Sequence, residues 1–152
     1  MKKRPISLYS LLLLLALQSI GGIYGGICLI LSPSGNILRM PLSMIEGSPF
    51  ANFLVPGLIL LLILGLFPAF VVWALIIRPT WAWPDILNVY DSIHWAWTFS
   101  LYLGIMLVIW ILVEIMFIKY DILQTIFGLW GVCTIISALL PATMRFYGWK
   151  NE

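Results

Sequence analysis

The stretch FLVPGLILLLILGLFPAFVVWALII, residues 53–77, decides the fold of this chain, because it contains no charged or polar side chain. A helix that crosses the ~30 Å hydrocarbon core of a bilayer needs about 20 apolar residues at a rise of 1.5 Å each. The stretch therefore predicts a transmembrane helix, which the charge of Arg78 and the ring of Pro79 end. Pro68 predicts a kink, at which neighbouring groups must satisfy a freed carbonyl.

Three more apolar runs reach spanning length, at about residues 6–31, 92–118 and 122–140. The first run is longer than the ~7–15 residues of a signal-peptide core, so we interpret it as a retained span, with a cleaved signal peptide as the alternative. Residues 119–121 predict a tight hairpin between the last two runs. The sequence thus predicts an all-α integral membrane protein, a four-transmembrane-helix bundle that forms a single domain over residues 1–152.

The composition agrees with this fold class. Of the 152 residues, 62% are hydrophobic and 9% are charged, whereas soluble domains average ~45–50% apolar and ~25% charged residues. This excludes a water-soluble globular domain. The net charge of +2 is too weak to indicate a nucleic-acid partner, and no basic cluster is interleaved with groove-reading residues, so membrane lipids are the expected partners.

The distribution of Lys and Arg predicts the orientation. With four spans both termini lie on one side, and cytoplasmic loops carry an excess of basic residues. The side with the termini holds six basic residues and the opposite side holds two: Lys2, Lys3, Arg4, Arg78, Arg145 and Lys150 against Arg39 and Lys119. We therefore expect a multi-pass protein of the cell membrane with both termini in the cytoplasm.

Small residues recur at helical spacing in three of the spans, where they let helix backbones approach closely in lipid. They are Gly21, Gly22, Gly25 and Gly26 in the first span, Ala96, Ser100 and Gly104 in the third, and Gly128 and Gly131 in the fourth. We interpret them as helix-packing residues within one chain. The alternative is a face for a homo-oligomer or a membrane protein partner, because the spacing does not say whose helix fills the groove.

The connection over residues 32–52 is long for a hairpin, which usually indicates local structure or function. Pro41 to Glu46, closed by Gly47, predicts one or two turns of helix. The segment is too apolar to be left in water, so we expect it to lie on the mouth of the bundle as a lid or, alternatively, against lipid.

Glu114 is the only charged residue well inside a span, and a carboxylate there normally faces protein or water. Gln124, Tyr24 and Asn52 stand at a similar depth in the other spans, so we predict that the four converge in a polar pocket that opens outward. The alternative is a structural carboxyl group that is neutral or paired with Lys119 and satisfied by Gln124.

His94 is the only histidine, which leaves one chain without bis-histidine haem ligation or a His-rich metal site. With Trp95 and Trp97 it predicts an inner interface with lipid headgroups, where Asp91 or Ser92 caps the third helix. Cys28 and Cys133 lie at different depths, too far apart for a disulfide bond. No Ser-His-Asp set or Gly-rich phosphate loop is present, and we predict no metal site and no cofactor.

Several strings resemble a family of small four-span prokaryotic proteins usually described only as hypothetical membrane proteins. They are SPFANFLVPGLIL at 48–60, HWAW at 94–97, WI at 110–111, PSG at 33–35 and LLP at 139–141. The resemblance covers the whole chain and implies the four-span fold, but no activity. This sequence has Ser32 and Asn52 where the family has acidic residues, so the resemblance does not extend to an outer cation site.

The sequence favours a non-catalytic small membrane protein that packs with itself or a partner through its small-residue helix faces. A transporter or a small-ligand or lipid-binding protein that uses a pocket around Glu114 is the alternative. An intramembrane enzyme, such as an isomerase with Glu114 as acid or base, is a second alternative.

Overall fold

The computed structural model describes residues 4–148 and shows an all-α multi-pass membrane protein. Four helices in these residues are long and apolar enough to span a bilayer. They are α1 (Ile6–Leu31), α2 (Leu54–Ile77), α3 (Trp95–Phe117) and α4 (Ile122–Leu139), and a short helix, α5 (Pro141–Tyr147), follows them. The predicted four-helix fold is confirmed, and Lys2, Lys3 and Lys150 lie outside the described residues.

Each helix ends where the sequence interrupts the apolar run. Arg78 takes a left-handed conformation (φ 55°, ψ 57°) after α2, and its N–H donates to the carbonyl of Ala74 at 2.8 Å. Asp121 caps α4, where its side chain accepts from the N–H of Leu123. α3 begins three residues later than predicted, because His94 rather than Asp91 or Ser92 caps it.

The helices pack as two antiparallel pairs, α1 with α2 and α3 with α4. α1 also contacts α4, and the second half of α2 contacts α3, which joins the pairs into one bundle. We call the end that holds residues 4–6 and 140–148 the terminus side. The opposite end, which holds residues 32–53 and 118–121, is the hairpin side.

The largest apolar core lies toward the terminus side. It joins Leu11 and Leu15 of α1, Val71 of α2, and Trp95 and Trp97 of α3. The indole N–H of Trp97 donates to the carbonyl of Ala138 at 2.8 Å, which ties α3 to the end of α4.

The connection between α2 and α3, residues 78–94, is fixed to the bundle by Asn88. Its amide nitrogen donates to the carbonyl of Ile93 at 2.8 Å, and its amide oxygen accepts from the hydroxyl of Thr98. The hydroxyl of Tyr102 donates to the carbonyl of Leu87 at 3.0 Å. This connection therefore has a defined structure although it lies outside the spans.

Candidate functional site

Gln18 lies on the buried face of α1, near the middle of the span and only 8% exposed. Leu15 before it and Gly22 after it lie on the same face at helical spacing, and both are buried. The twelve residues from Ile6 place Gln18 about 18 Å into the helix at the α-helical rise. Its side chain is thus an amide held inside the bundle and away from both membrane surfaces.

Both hydrogen-bonding atoms of the Gln18 side chain, Nε2 and Oε1, are shielded and have no partner among the described residues. The groups around it are satisfied. The hydroxyl of Ser19 donates to the carbonyl of Gly65 at 2.8 Å, and the indole N–H of Trp130 donates to the carbonyl of Leu14 at 3.2 Å. An unpartnered buried amide costs roughly 1–3 kcal/mol. Gln18 therefore lacks acceptors for its two N–H donors and a donor for its carbonyl oxygen.

Opposite α1, helix α2 widens into a π-helical segment over Leu60–Leu66, directly before Pro68. Pro68 has no N–H to donate, and π-segments commonly absorb such a change of register and mark functional sites. Ser19 satisfies the Gly65 carbonyl in this segment. The kink that the sequence predicts at Pro68 is therefore a π-segment whose irregular backbone packs on the part of α1 that carries Gln18.

Glu114 lies half-buried on α3, and its carboxyl group has no hydrogen bond or ion pair to any residue between 4 and 148. Ile111, one turn before it, belongs to a mid-bundle cluster with Leu64 and Leu107. Ile118, one turn after it, packs against an apolar cluster on the hairpin side. The carboxyl group therefore projects from the stretch of α3 that connects these two clusters.

The hairpin-side cluster is formed by the long connection between α1 and α2. Ile45 and Phe53 are buried in it against Leu29. The connection contains short 3-10 helices at Asn36–Leu38 and Leu42–Ile45, and a positive φ of 91° at Gly47 ends the second. Part of the segment therefore packs on the hairpin-side ends of the helices, while Ile37 and Leu42 remain exposed.

The structure does not bring the four residues of the predicted pocket together. The side chain of Gln124 is used in a capping box, where its Oε1 accepts from the N–H of Asp121 at 3.1 Å. Asn52 accepts from the N–H of Leu54 at the start of α2, and Tyr24 is 65% exposed on the outside of α1. Local capping and the outward face of α1 explain the difference, because depth alone does not determine the direction of a side chain.

The small residues lie mostly in contacts within the chain. A Cβ added at Gly26 would lie 2.7 Å from the backbone of Leu61, and one added at Gly131 would lie 3.0 Å from the carbonyl oxygen of Gly104. Gly22 meets the backbone of α2 in the same way, while Ala96 and Ser100 are fully buried. Gly25 and Gly128 have looser neighbours, and only open space lies beside Gly21.

His94, Trp95 and Trp97 are covered by protein, so their side chains do not make the headgroup contacts that the sequence predicts for them. All three are at most 3% exposed, because residues 78–94 and α5 cover them. His94 accepts from the N–H of Ala96 through Nδ1, and its Nε2 lies 3.1 Å from the carbonyl of Pro79. This pairing assigns the proton of the neutral ring to Nε2.

Burial lowers the pKa of His94, because the charged imidazolium loses its hydration inside the protein. The carbonyl of Pro79 and the charge of Asp85 oppose this shift, and the charge of Arg78 adds to it. The ring is therefore held in its neutral form as a structural helix cap. Its geometry does not point to a catalytic acid or base.

Sequence reasoning missed Gln18, although a signal was present. It is the only amide among the apolar residues of the first span, and it lies four residues before Gly22 on the face that we predicted to pack. Glu114 drew attention because its charge is conspicuous, whereas a glutamine resembles an ordinary polar residue until its burial is known.

No family model, curated protein or solved structure matches the chain.

Proposed function

We propose that this chain is a non-catalytic cell-membrane protein that binds a small amphipathic molecule inside its helix bundle, with the polar head of the molecule at Gln18 and with Glu114 on its entry path. The observation that carries the proposal is the amide of Gln18, whose two polar atoms are both buried and unpartnered. An unpartnered polar side chain inside the hydrocarbon layer lowers the stability of the fold. Such a side chain therefore normally marks a substrate or ligand path.

The position of Glu114 supports the hairpin side as the entry side. Glu114 lies about 28 Å along α3 from Trp95, which is farther from the terminus side than Gln18 is along α1. It also lies one turn from Ile118, which contacts the segment between α1 and α2. A molecule that passes beneath this segment therefore meets the carboxyl group before it reaches the amide.

The chemistry of the two side chains defines the class of ligand. An amide offers one acceptor and two donors, and a carboxylate accepts hydrogen bonds and favours a positive charge. The matching head group is a primary ammonium or a hydroxyl on an apolar tail. Catalysis fits less well, because no described residue hydrogen bonds with the carboxyl group of Glu114 and could relay a proton for an isomerase.

The test uses two photoreactive probes with the same alkyl tail, one a primary amine and the other an alcohol, applied to the protein in lipid nanodiscs. Crosslinked residues are mapped by mass spectrometry. We expect labels on the interior faces of α1 and α3 around Gln18 and Glu114. Labels found only on the lipid-facing surfaces of the helices would contradict the proposal.

Variants make this test specific. Gln18→Leu should reduce labelling by both probes, while Glu114→Gln should reduce labelling by the amine and spare the alcohol, since only the charge is lost. Tyr24→Phe and Glu46→Gln are matched controls on exposed residues and should leave labelling unchanged.

Gln18→Leu should fold at least as well as the parent, because it removes an unpartnered amide. A stable Gln18→Leu protein with full labelling would show a purely structural glutamine.

Self-association is a second candidate function, and Gly21 favours it. A Cβ at this position meets no atom within 4 Å, and the neighbouring Leu17 and Ile20 are exposed on the same surface of α1. Gly22, Gly26 and Gly131, by contrast, already pack against other helices of the same chain. Gly21→Leu should therefore weaken a homodimer detected by crosslinking in the membrane, and an unchanged dimer would exclude this surface.

A further inference from the structure

A second polar site lies at the terminus side, where Arg78 packs against two aromatic rings of α5. The Cζ atom of Arg78 lies 4.0 Å from the ring centroid of Phe146 and 4.6 Å from that of Tyr147. The hydroxyl of Tyr147 donates to the carbonyl of Leu75 at 2.7 Å, which fixes its ring against the end of α2. The guanidinium group is thus held in place by the two rings and by the hydroxyl of Tyr147, and not by a carboxylate.

The backbone of Arg78 adds to this arrangement. Its φ of 55° lies in the left-handed region, which costs a residue with a side chain roughly 1 kcal/mol or more. Glycine would adopt this backbone conformation with less strain than the arginine that occupies it. Its Nη2 atom is shielded and lacks a hydrogen-bond partner among the described residues.

Two further arginines lie at the same end of the bundle as Arg78, and the nearest acidic influence on this region is Asp85, which acts with Arg78 on His94. Arg4 and Arg145 are exposed at the same end of the bundle, and no ion pair joins any of these three arginines to a carboxylate within residues 4–148. The desolvated hydroxyl of Tyr147 has its pKa raised to about 12, and the charges of both Arg78 and Arg4 act against that rise. Of the two, Arg78 is in contact with the ring of Tyr147.

Exposed indole rings place this end of the bundle at the depth of lipid headgroups. Trp73 and Trp81 pack with ring centroids 5.4 Å apart, and Trp81 packs on Trp83 at 6.2 Å. The three rings are 40–57% exposed. Tryptophan collects at the membrane–water interface, where an apolar ring with a polar N–H is best solvated.

We propose that Arg78, with the charges of Arg4 and Arg145, binds the phosphate group of an anionic phospholipid in the leaflet at the terminus side. A guanidinium group binds phosphate oxygens well, and stacking on Phe146 and Tyr147 holds its plane in place before the lipid arrives. The site is independent of Gln18 and Glu114, because Gln18 lies in the middle of α1 and Glu114 lies toward the hairpin side of α3.

The experiment compares lipid adducts by native mass spectrometry of the full chain in detergent, with phosphatidylglycerol or phosphatidylcholine of identical acyl chains. Arg78→Gly suits the left-handed backbone and removes the guanidinium. We expect it to weaken phosphatidylglycerol binding about fivefold, the effect of one arginine near an anionic surface, and to leave phosphatidylcholine binding unchanged.

Arg39→Gly is the matched control, because Arg39 also has a φ of 55° and lies on the hairpin side. It should leave the lipid preference unchanged. The double variant Arg4→Gln, Arg145→Gln keeps the folded contacts of Arg78 and should also weaken phosphatidylglycerol binding, so the test remains decisive if Arg78→Gly does not fold.

Three results would overturn the proposal. One is an unchanged lipid preference in either the Arg78 variant or the double variant, and another is an equal loss in Arg39→Gly. The third is full suppression of the phosphatidylglycerol preference by excess inorganic phosphate, since that would show a site for a free anion and not for a lipid.

Discussion

Gly22 of α1 and Gly65 of α2 meet where the two helix backbones are in close contact. A Cβ added at Gly22 would lie 2.7 Å from the amide nitrogen of Gly65 and 2.3 Å from the carbonyl oxygen of Leu64. A Cβ added at Gly65 would lie 2.8 Å from the amide nitrogen of Ile23. Because the opposing atoms belong to the backbone, neither helix can make room by a rotamer change.

We therefore predict that Gly22→Ala destabilises the protein by about 1–3 kcal/mol, the usual cost of overpacking a tight contact. Gly21→Ala is the matched control, because a Cβ at Gly21 meets no atom within 4 Å. It should leave stability unchanged or raise it, since alanine favours helix. Thermal unfolding in detergent measures both, and equal midpoints for the two variants would contradict the α1–α2 contact.

The sequence predicted the fold well because the spans depend on length and hydropathy, which are local properties. The limits of α1, α2 and α4 differ from the predicted ones by at most one residue. The start of α3 was three residues off, because a histidine cap depends on the ring nitrogen of His94 and on its contact with Pro79. Composition does not reveal such a contact.

The candidate site could not be predicted in the same way. Glu114, Gln124, Tyr24 and Asn52 share a depth, but depth leaves the direction of each side chain open. Gln124 and Asn52 bind neighbouring backbone N–H groups in their own helix ends. Likewise, Trp95 and Trp97 have the composition of an interface belt, and only the folded chain shows that the connection between α2 and α3 covers them.

The bond from Ser19 to the π-segment gives a second prediction. Ser19→Ala removes the donor to the carbonyl of Gly65, in a segment where Pro68 already removes one backbone N–H. Interhelical hydrogen bonds in membranes contribute about 0.6–2 kcal/mol, so we expect a loss of stability of that size. Ser43→Ala on the exposed hairpin side is the control and should behave like the parent protein.

The histidine cap predicts a dependence of stability on pH. The folded pKa of His94 is lowered from its usual value of 6.5, so the unfolded chain takes up the proton first as pH falls. The contribution of the neutral ring is fully present above about pH 6.5, and it is lost as pH falls from there toward the folded pKa. We expect the unfolding midpoint in detergent to fall over this window.

His94→Asn tests the cause, because asparagine can cap a helix but does not titrate. This variant should show a flatter profile over the same window than the parent protein. The hydroxyl of Tyr147, with a pKa of about 12, does not titrate there and so does not interfere. A parent profile as flat as that of the variant would contradict the role of His94.

The orientation gives the last prediction. We expect the terminus side to face the cytoplasm, because the basic residues are concentrated there and cytoplasmic loops are enriched in Lys and Arg. In a background with Cys28→Ala and Cys133→Ala, a cysteine placed at Arg39 should react with a membrane-impermeant maleimide on intact cells. A cysteine placed at Arg145, which is exposed on α5, should react only after the cells are permeabilised. Both variants remove one positive charge, so they are matched in their effect on the charge balance. Labelling in the reverse pattern would place the phospholipid site of Arg78 in the outer leaflet and the entry to Gln18 and Glu114 on the cytoplasmic side.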